Sequence, residues 1–271
     1  MILRGDILAK KINRQTKAEV KKLKIKPGLA AILVGNNSAS KLYVSIKKEE
    51  AKKIGINFYE YHLSEKIKVN EILNIINLLN KDKNIHGIIV QLPLPKKFNA
   101  NKIIQSIDPK KDVDGFHKEN TRKLLANKPF VVSPLIAGSI ELIKATDGKL
   151  KGKSAVIVAK NKIFAEPLKV MLKKEKINPT WIKELKKEHT NKADIVIMVL
   201  GKKYALKENM VKKGAIVIDI GINKYKGKTV GDVDFDKVKI KAGYITPVPK
   251  GIGPMTVAML LKNTLKLAKN N

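Results

Sequence analysis

The chain has 271 residues, enough for one large domain or two of ordinary size. Hydrophobic residues make up 44% of it, so it can bury substantial cores, and the absence of cysteine excludes disulfides, thiolate metal sites and cysteine catalysis. The formal net charge of +32 invites a nucleic-acid hypothesis. However, the lysines are spread over every segment, aromatic residues are only 5%, and no nucleic-acid-binding motif occurs, so this interpretation is disfavoured. The positive field also suits a small anionic substrate.

The sequence carries no signal for a membrane or a metal. It has no apolar run long enough to span a bilayer, and its first residues lack the apolar core of a secretory signal. The four histidines are scattered without metal-ligand spacing, so we expect a metal-free site in a soluble cytoplasmic protein.

The first half of the chain alternates apolar strands with helical patterns. Such alternation predicts a parallel α/β sheet. The predicted elements are one helix over residues 1–25 that is broken by Pro27, strand Leu29–Val34, a helix from Ser40 to Gly55, strand Asn57–Leu63, helix Val69–Lys81 and strand Gly87–Gln91.

The helix after the first strand carries a tyrosine and a lysine on one face. A polar turn with helix-capping residues, Asn36 to Ser38, precedes it. Tyr43 and Lys47 are four residues apart and therefore lie on the same face. The carboxyl ends of strands are where open α/β sheets bind small molecules. An ordinary surface helix in a lysine-rich protein explains the same pattern.

Two further polar groups follow the third strand. In Gln91-Leu-Pro-Leu-Pro95 the prolines cannot continue a ladder, so the chain leaves the sheet at Gln91. The later segment Asp112-Val-Asp-Gly115 has the composition of a tight loop that aims one carboxylate, that of Asp114. For Asp112, a turn that only stabilises itself is an equally good interpretation.

The second half begins another α/β unit beyond Pro129. A C-terminal helix opens at Lys250-Gly-Ile-Gly-Pro-Met-Thr256, where glycines free backbone amides and Pro254 suits the first turn. The other predicted elements are helix Ile136–Thr146, strand Ser154–Val158, a loop over residues 159–167 that leads into a helix, and strands Asp194–Leu200, Ala215–Ile220, Val230–Val233 and Tyr244–Val248.

Several motifs together resemble one known family. They are Tyr43-x-x-x-Lys47, Gln91-Leu-Pro-Leu-Pro95, Asp112-Val-Asp-Gly115, Gly221-Ile-Asn223, Val230-Gly-Asp-Val233 and Thr246-Pro-Val-Pro-x-Gly-Ile-Gly-Pro-Met-Thr256, in that order. The chain resembles the methylenetetrahydrofolate dehydrogenase/methenyltetrahydrofolate cyclohydrolase family, the FolD proteins. The similarity covers essentially the whole chain.

The resemblance implies two α/β domains flanking a cleft: a folate-binding catalytic domain (residues 1–117 with 255–271) and a Rossmann-like NADP-binding domain (residues 118–254). It also implies a bifunctional enzyme of one-carbon metabolism that produces 10-formyltetrahydrofolate for purine biosynthesis, and a homodimer.

The resemblance assigns roles to individual residues. Tyr43 stacks on the folate, Lys47 is the central cyclohydrolase residue assisted by Gln91, and Asp114 holds the pterin ring. The substrate set is completed by the glycine-rich turn with Gly251, Ile252, Gly253 and Pro254, and the cofactor set comprises Ala159, Lys160, Asn161 and Ile222.

The chain departs from the family pattern mainly in the cofactor half. Ala159 and Ala165 stand where the family usually has glycines that permit positive φ and close approach to the pyrophosphate. A non-glycine residue held at positive φ costs about 1–2 kcal/mol, and the added methyl would crowd the phosphate, so we expect strain at both positions. The segment that helps to hold the 2′-phosphate has no clear match between Trp181 and Asp194, and Lys250 replaces a glycine.

Two explanations of these departures compete. In one, Lys160 and Lys162 replace backbone amides by direct charge on the phosphates. In the other, the dinucleotide site has decayed and the protein is a cyclohydrolase-only or folate-binding paralogue. The main hypothesis is a bifunctional enzyme whose dehydrogenase activity is impaired by the glycine-free loop. A basic nucleic-acid-binding protein on the same scaffold is an alternative of another class.

Overall fold

The computed structural model describes residues 1–270, which form ten helices, one short 3₁₀ turn and ten strands. The strands are β1 Gly28–Val34, β2 Asn57–Leu63, β3 Gly87–Val90, β4 Ser154–Ala159, β5 Asn178–Ile182, β6 Ile195–Val199, β7 Ile216–Asp219, β8 Asn223–Tyr225, β9 Lys228–Val230 and β10 Tyr244–Ile245. The helices are α1 Gly5–Val20, α2 Ser38–Ile54, α3 Val69–Lys81, α4 Ala100–Ile104, α5 Lys118–Leu125, α6 Pro134–Lys144, α7 Lys162–Lys174, α8 Lys187–Thr190, α9 Phe235–Lys241 and α10 Ile252–Asn270, with the 3₁₀ turn at Glu208–Met210.

The chain divides into two compact units. The first unit comprises Lys10–Pro134 together with the residues from Val257 onward, and the second comprises Met1–Ala9 and Leu135–Thr256. The domain bounds expected from the resemblance lie at residues 117 and 254. None of the helices within residues 1–270 is long and apolar enough to cross a membrane.

The first unit is built on a parallel sheet with strand order β2-β1-β3. All seven residues of β1 are buried, as expected for a central parallel strand covered on both faces. Because side chains alternate along a strand, Ala30 and Ile32 join a core with α3, whereas Leu29 and Ala31 join a core with α10.

Helix α2 begins at Ser38, two residues before the predicted start, and ends at the predicted glycine. The Asn37 side chain accepts a hydrogen bond of 3.0 Å from the Ser40 N–H, which satisfies one of the free donors at the helix start. Gly55 ends the helix with φ +90, a left-handed conformation that favours glycine.

The second unit contains a five-stranded parallel sheet in the order β10-β7-β6-β4-β5. Chain residues before α1 extend its edge, since Leu3 N donates to the Ile245 carbonyl at 2.8 Å. The chain passes from β4 to β5 on one side and then crosses to β6 on the other side of β4. The connection therefore reverses between β4 and β6, and their carboxyl ends flank the crevice where such sheets bind ligands.

Several predicted boundaries were wrong. The N-terminal helix spans Gly5–Val20 rather than residues 1–25, because the first three residues run along β10. The segment 159–167 is mostly helical, since α7 begins at Lys162 and contains Pro167. The strand expected over Val230–Val233 ends at Val230, and the one expected over Tyr244–Val248 ends at Ile245. Helices α5, α8 and α9 and strand β5 were not anticipated.

Candidate active site

A lysine and a glutamine from separate elements meet in the first unit. Lys47 Nζ, on α2, donates a hydrogen bond of 2.7 Å to Gln91 Oε1. Gln91 lies directly after β3, and its backbone N–H continues the ladder by bonding to the Ile32 carbonyl at 2.8 Å. The prediction that Gln91 lies at the carboxyl end of a strand is therefore confirmed. The structure brings together two of the predicted site residues.

Asp114 is the third member of this group. Burial raises the pKa of its carboxyl to about 6, the charge of Lys47 opposes that rise, and the charge of Asp112 adds to it. Burial likewise lowers the pKa of Lys47, and the charge of Asp114 opposes it. Both residues as a whole are half-buried, so the effect comes from local desolvation of the charged groups. Desolvation thus favours the uncharged form of each partner.

Asp112 has a structural position instead. It is 1% exposed, and its carboxylate accepts hydrogen bonds from Gly115 N at 3.0 Å, His117 N at 2.8 Å and Asn120 Nδ2 at 3.0 Å. The turn-stabilising interpretation of Asp112 is therefore confirmed. Because the loop folds around Asp112, the carboxylate two residues later is held in place. Asn120, which the sequence did not single out, is part of this arrangement.

The aromatic member of the predicted site lies one helical turn before the lysine. Tyr43 is half-buried on α2, and its spacing puts it on the same face as Lys47. A helix face with a ring and an amine beside a glutamine and a carboxylate offers stacking area, one base and two kinds of hydrogen-bonding group.

The predicted cofactor residues lie in the second unit, at the carboxyl edge of its sheet. Ala159 is the buried last residue of β4, Lys160 and Asn161 are exposed in the turn to α7, and Ile222, 55% exposed, follows β7. The Lys160 amine lies 3.9 Å from the point where a Cβ on Gly201 would stand, so this lysine reaches toward the loop after β6. Lys160 and Asn161 thus lie on the β4 side of the crevice between β4 and β6, and Ile222 lies on the segment after β7.

The two alanines that replace glycines cause no backbone strain. Neither Ala159 nor Ala165 has positive φ: the first continues a strand, and the second is buried inside α7. The expectation that alanine would be strained at these positions was wrong, because the backbone there is regular.

Trp181 is a neighbour of this turn that the sequence did not single out. Its Nε1 donates to the Ala159 carbonyl at 2.9 Å, and Lys162 Nζ lies 5.8 Å from the centroid of its ring. The available signal was that Trp181 is the single tryptophan of the sequence.

The predicted glycine-rich turn opens α10. Gly251 and Ile252 are buried, and Gly253 and Pro254 are half-buried. Lys250, just before them, has φ +77, so it keeps the left-handed backbone that suits a glycine.

The sequence matches two domains of one family. Residues 3–114 match the catalytic domain of tetrahydrofolate dehydrogenase/cyclohydrolase, and residues 134–271 match the NAD(P)-binding domain of the same enzyme family. The chain belongs to this family. The family and the fold class expected from the motifs are therefore confirmed, including an NAD(P)-binding second domain.

Relatives agree with this assignment over nearly their whole length. The bifunctional protein FolD of Nitratiruptor sp. is 46% identical, and the match covers 99% of this chain and 98% of that protein. The crystal structure of the bifunctional FolD enzyme of Campylobacter jejuni has a TM-score of 0.94 and 43% identity, covering 100% of this chain and 99% of that one.

A third relative carries a cofactor. The FolD structure of Trypanosoma brucei, described as complexed with NADP and an inhibitor, has a TM-score of 0.93 and 30% identity, covering 100% of this chain and 97% of that one. A protein with only the folate half, or a nucleic-acid-binding protein, is not favoured by matches that extend over both tetrahydrofolate dehydrogenase/cyclohydrolase domains.

Proposed function

We propose that this chain oxidises 5,10-methylenetetrahydrofolate with NADP and hydrolyses the resulting 5,10-methenyltetrahydrofolate to 10-formyltetrahydrofolate. Membership of the tetrahydrofolate dehydrogenase/cyclohydrolase family supports the two reactions. The single observation that supports the residue roles is the hydrogen bond from Lys47 to Gln91. Lys47 is also close enough to Asp114 for the charges of these two residues to interact. We assign the folate chemistry to the first unit and cofactor binding to the second.

In the hydrolytic step we assign Lys47 as the general base. Water adds to the methenyl carbon and loses one proton to the amine. The tetrahedral adduct then collapses as one C–N bond breaks: its hydroxyl becomes the formyl carbonyl, one of the two protons of the water passes to the released nitrogen, and the other leaves to solvent. An unperturbed lysine, with a pKa of about 10.4, is a poor base at neutral pH. Because burial lowers the pKa of Lys47, a larger fraction of its amine is free to accept the proton.

Gln91 is assigned an orienting role, and Asp114 and Tyr43 bind the substrate. Gln91 holds the amine through its carbonyl oxygen. The Asp114 carboxylate has two acceptor oxygens suited to the ring N–H donors of a pterin. Tyr43 offers a ring for stacking on the same helix face as Lys47.

The remaining assignments follow the resemblance. We propose that Gly251, Ile252, Gly253 and Pro254 take part in substrate binding. We propose that Ala159, Lys160, Asn161 and Ile222 border the dinucleotide.

The crevice suits an anionic dinucleotide. The Asn161 side chain makes no capping bond, so the first N–H groups of α7 are not used by it, and the exposed Lys160 adds positive charge. When bound, the nicotinamide accepts the hydride, and the surrounding side chains orient it and exclude water. We therefore favour direct contact between lysine and phosphate over a decayed site.

Three wider assignments complete the proposal. We propose that the protein is cytoplasmic, that it is a homodimer, and that its formyl product is used in purine biosynthesis. Light scattering during size-exclusion chromatography tests the dimer.

Two adjacent lysines give a matched test of the catalytic assignment. Lys47→Met should slow the disappearance of the methenyl chromophore by about 10²- to 10⁴-fold, the usual contribution of a general base. Lys48→Met is the control, because Lys48 is exposed and pairs with Glu60 at 3.0 Å. Equal rates for wild type and Lys47→Met would remove Lys47 from the mechanism.

A further inference from the structure

Two buried aspartates lie where the motifs Gly221-Ile-Asn223 and Val230-Gly-Asp-Val233 meet. Asp219 ends β7 and is 2% exposed, and Asp232 follows β9 and is 0% exposed. Neither has a role in the site described above. Buried carboxylates are costly unless hydrogen bonds satisfy them, so their partners indicate what they do.

Asp232 gathers the loop that follows β6. Its Oδ2 accepts hydrogen bonds from Leu200 N at 2.6 Å and Gly201 N at 3.0 Å, and its Oδ1 accepts from Lys202 N at 2.8 Å. The Asn223 Nδ2 group donates to the same Oδ1 at 3.0 Å. Four donors converge on one side chain, which matches an ionised carboxylate, an acceptor-only group.

Asp219 in turn holds the segment that carries Asp232. Its Oδ1 accepts from Gly221 N and Asp232 N, both at 3.0 Å, and its Oδ2 accepts from Val233 N at 2.9 Å. Burial raises the pKa of Asp219 to about 7, and these N–H donors oppose the rise. The end of β7 and the segment after β9 are thereby fixed to one another.

The two glycines of these motifs make room for the carboxylates. A Cβ on Gly221 would overlap the carboxylate of Asp232, and a Cβ on Gly231 would overlap that of Asp219. Each aspartate therefore packs against the bare backbone of the other's segment. This reciprocal packing explains why glycine precedes the aspartate in one motif and opens the other.

The fixed loop forms one side of the crevice between β4 and β6. Gly201, whose N–H is held by Asp232, has φ +64 and lies beside the Lys160 amine of the opposite side. Asp232 also holds Asn223, the residue next to Ile222. Asp232 thus contacts both the loop after β6 and the segment after β7, which Asp219 also holds through Gly221 N.

We propose that Asp232, supported by Asp219, is a positioning residue for the dinucleotide: it fixes the Leu200–Lys202 and Ile222–Asn223 backbones in the shape that receives the cofactor. This rests on the proposed function, which assigns NADP to that crevice. The N–H groups of Leu200–Lys202 are already bonded to Asp232. We therefore assign binding of the dinucleotide phosphates to the turn after β4, which contains Lys160.

Calorimetric titration with NADP tests the proposal. In Asp232→Asn an amide nitrogen faces N–H donors, two charge-assisted hydrogen bonds are lost, and the Kd for NADP should rise about tenfold or more. The KM for NADP should rise by a similar factor while kcat changes less. Circular dichroism checks that the variant is folded.

A matched aspartate in the same unit separates positioning from general stability. Asp194 also binds backbone, accepting from Ser154 N at 2.8 Å and Lys212 Nζ at 2.6 Å, but it stands at the amino ends of β4 and β6, at the opposite edge of the sheet. Asp194→Asn should lower the thermal midpoint and leave the Kd for NADP unchanged.

A second variant decides the matter if Asp232→Asn does not fold. Asn223→Ala removes one donor to Asp232 from a half-buried position and should raise the Kd about threefold, less than Asp232→Asn, because the three backbone donors to Asp232 remain. If the folded variants bind NADP with the wild-type Kd, the positioning role of Asp232 is overturned and the cofactor assignment still stands. A wild-type chain that binds no NADP would overturn the cofactor assignment and this inference with it.

Discussion

The amine of Lys47 and the amide carbonyl of Gln91 form a directed pair. Lys47 Nζ donates to Gln91 Oε1 at 2.7 Å, while Gln91 Nε2 donates to the Leu92 carbonyl at 2.7 Å. Because the two ends of the amide have different partners, the carbonyl end faces the lysine. An amide carbonyl accepts from the amine without adding a full negative charge. Gln91 therefore leaves burial free to lower the pKa of Lys47, and only the charge of Asp114 opposes that effect.

Replacing this amide by a carboxylate should reverse the effect. In Gln91→Glu a negative charge beside Lys47 favours the ammonium and raises its pKa. The cyclohydrolase rate at pH 7 should fall about 100-fold, the order of a general-base contribution, and recover partly as the pH rises. The measurement is the pH profile of methenyl hydrolysis. Gln15→Glu, on the exposed side of α1, is the control. A Gln91→Glu profile superimposable on that of wild type would contradict the prediction.

The raised pKa of Asp114 sets an acid limit on folate binding. Because burial raises that pKa to about 6, the carboxyl is ionised above pH 6 and gains a proton as the pH falls through 6. The neutral form loses negative charge and acceptor capacity toward pterin N–H groups. The KM for 5,10-methylenetetrahydrofolate should therefore rise below pH 6 and be flat above it. Asp114→Asn should show a high KM at every pH; an acid limb that persists in this variant would assign the titration to another group.

Much of the folate half was predictable because its local end signals for helices and strands agree with the geometry of a parallel sheet. Asn37 and Gly55 mark the ends of α2, and prolines after Gln91 end the third strand. Since parallel strands share a carboxyl edge, Lys47 and Gln91 were expected on one rim, and their contact bears that out. Their catalytic roles stay predictions.

The cofactor half was harder to predict because the type of a residue does not determine its backbone conformation. The absence of glycine at Ala159 and Ala165 suggested strain, yet both have regular backbone. Lys250, by contrast, does adopt the left-handed conformation. The hydrogen bonds of Asp232 join residues about 30 positions apart, and no local pattern encodes such a contact.

The buried carboxylate of Asp112 should matter for both stability and substrate binding. Asp112→Ala leaves the N–H groups of Gly115, His117 and Asn120 without their acceptor. Unsatisfied buried donors of this kind cost about 1–3 kcal/mol each, so we expect the free energy of unfolding to drop by about 3 kcal/mol or more. Urea denaturation measures the drop.

An exposed aspartate provides the comparison for the buried Asp112. Asp236 has a side chain 84% exposed, and Asp236→Ala should leave the urea midpoint almost unchanged. Where Asp112→Ala still folds, its KM for folate should rise, because Asp114 is no longer held. A folded variant with wild-type KM would show that Asp114 needs no support from Asp112.

The left-handed residue before the glycine-rich turn offers a stabilising substitution. Lys250 is exposed with φ +77, and its carbonyl accepts from Asp6 N at 3.3 Å. A Cβ is unfavourable in this conformation, so Lys250→Gly should raise the free energy of unfolding by about 0.5–1 kcal/mol, a net of relieved strain and added chain entropy. Lys250→Ala keeps the Cβ and removes the charge, and we expect it to match wild type in the same thermal and urea unfolding measurements. A glycine variant no more stable than the alanine variant would show that the surrounding turn, and not the backbone of Lys250, determines stability at this position.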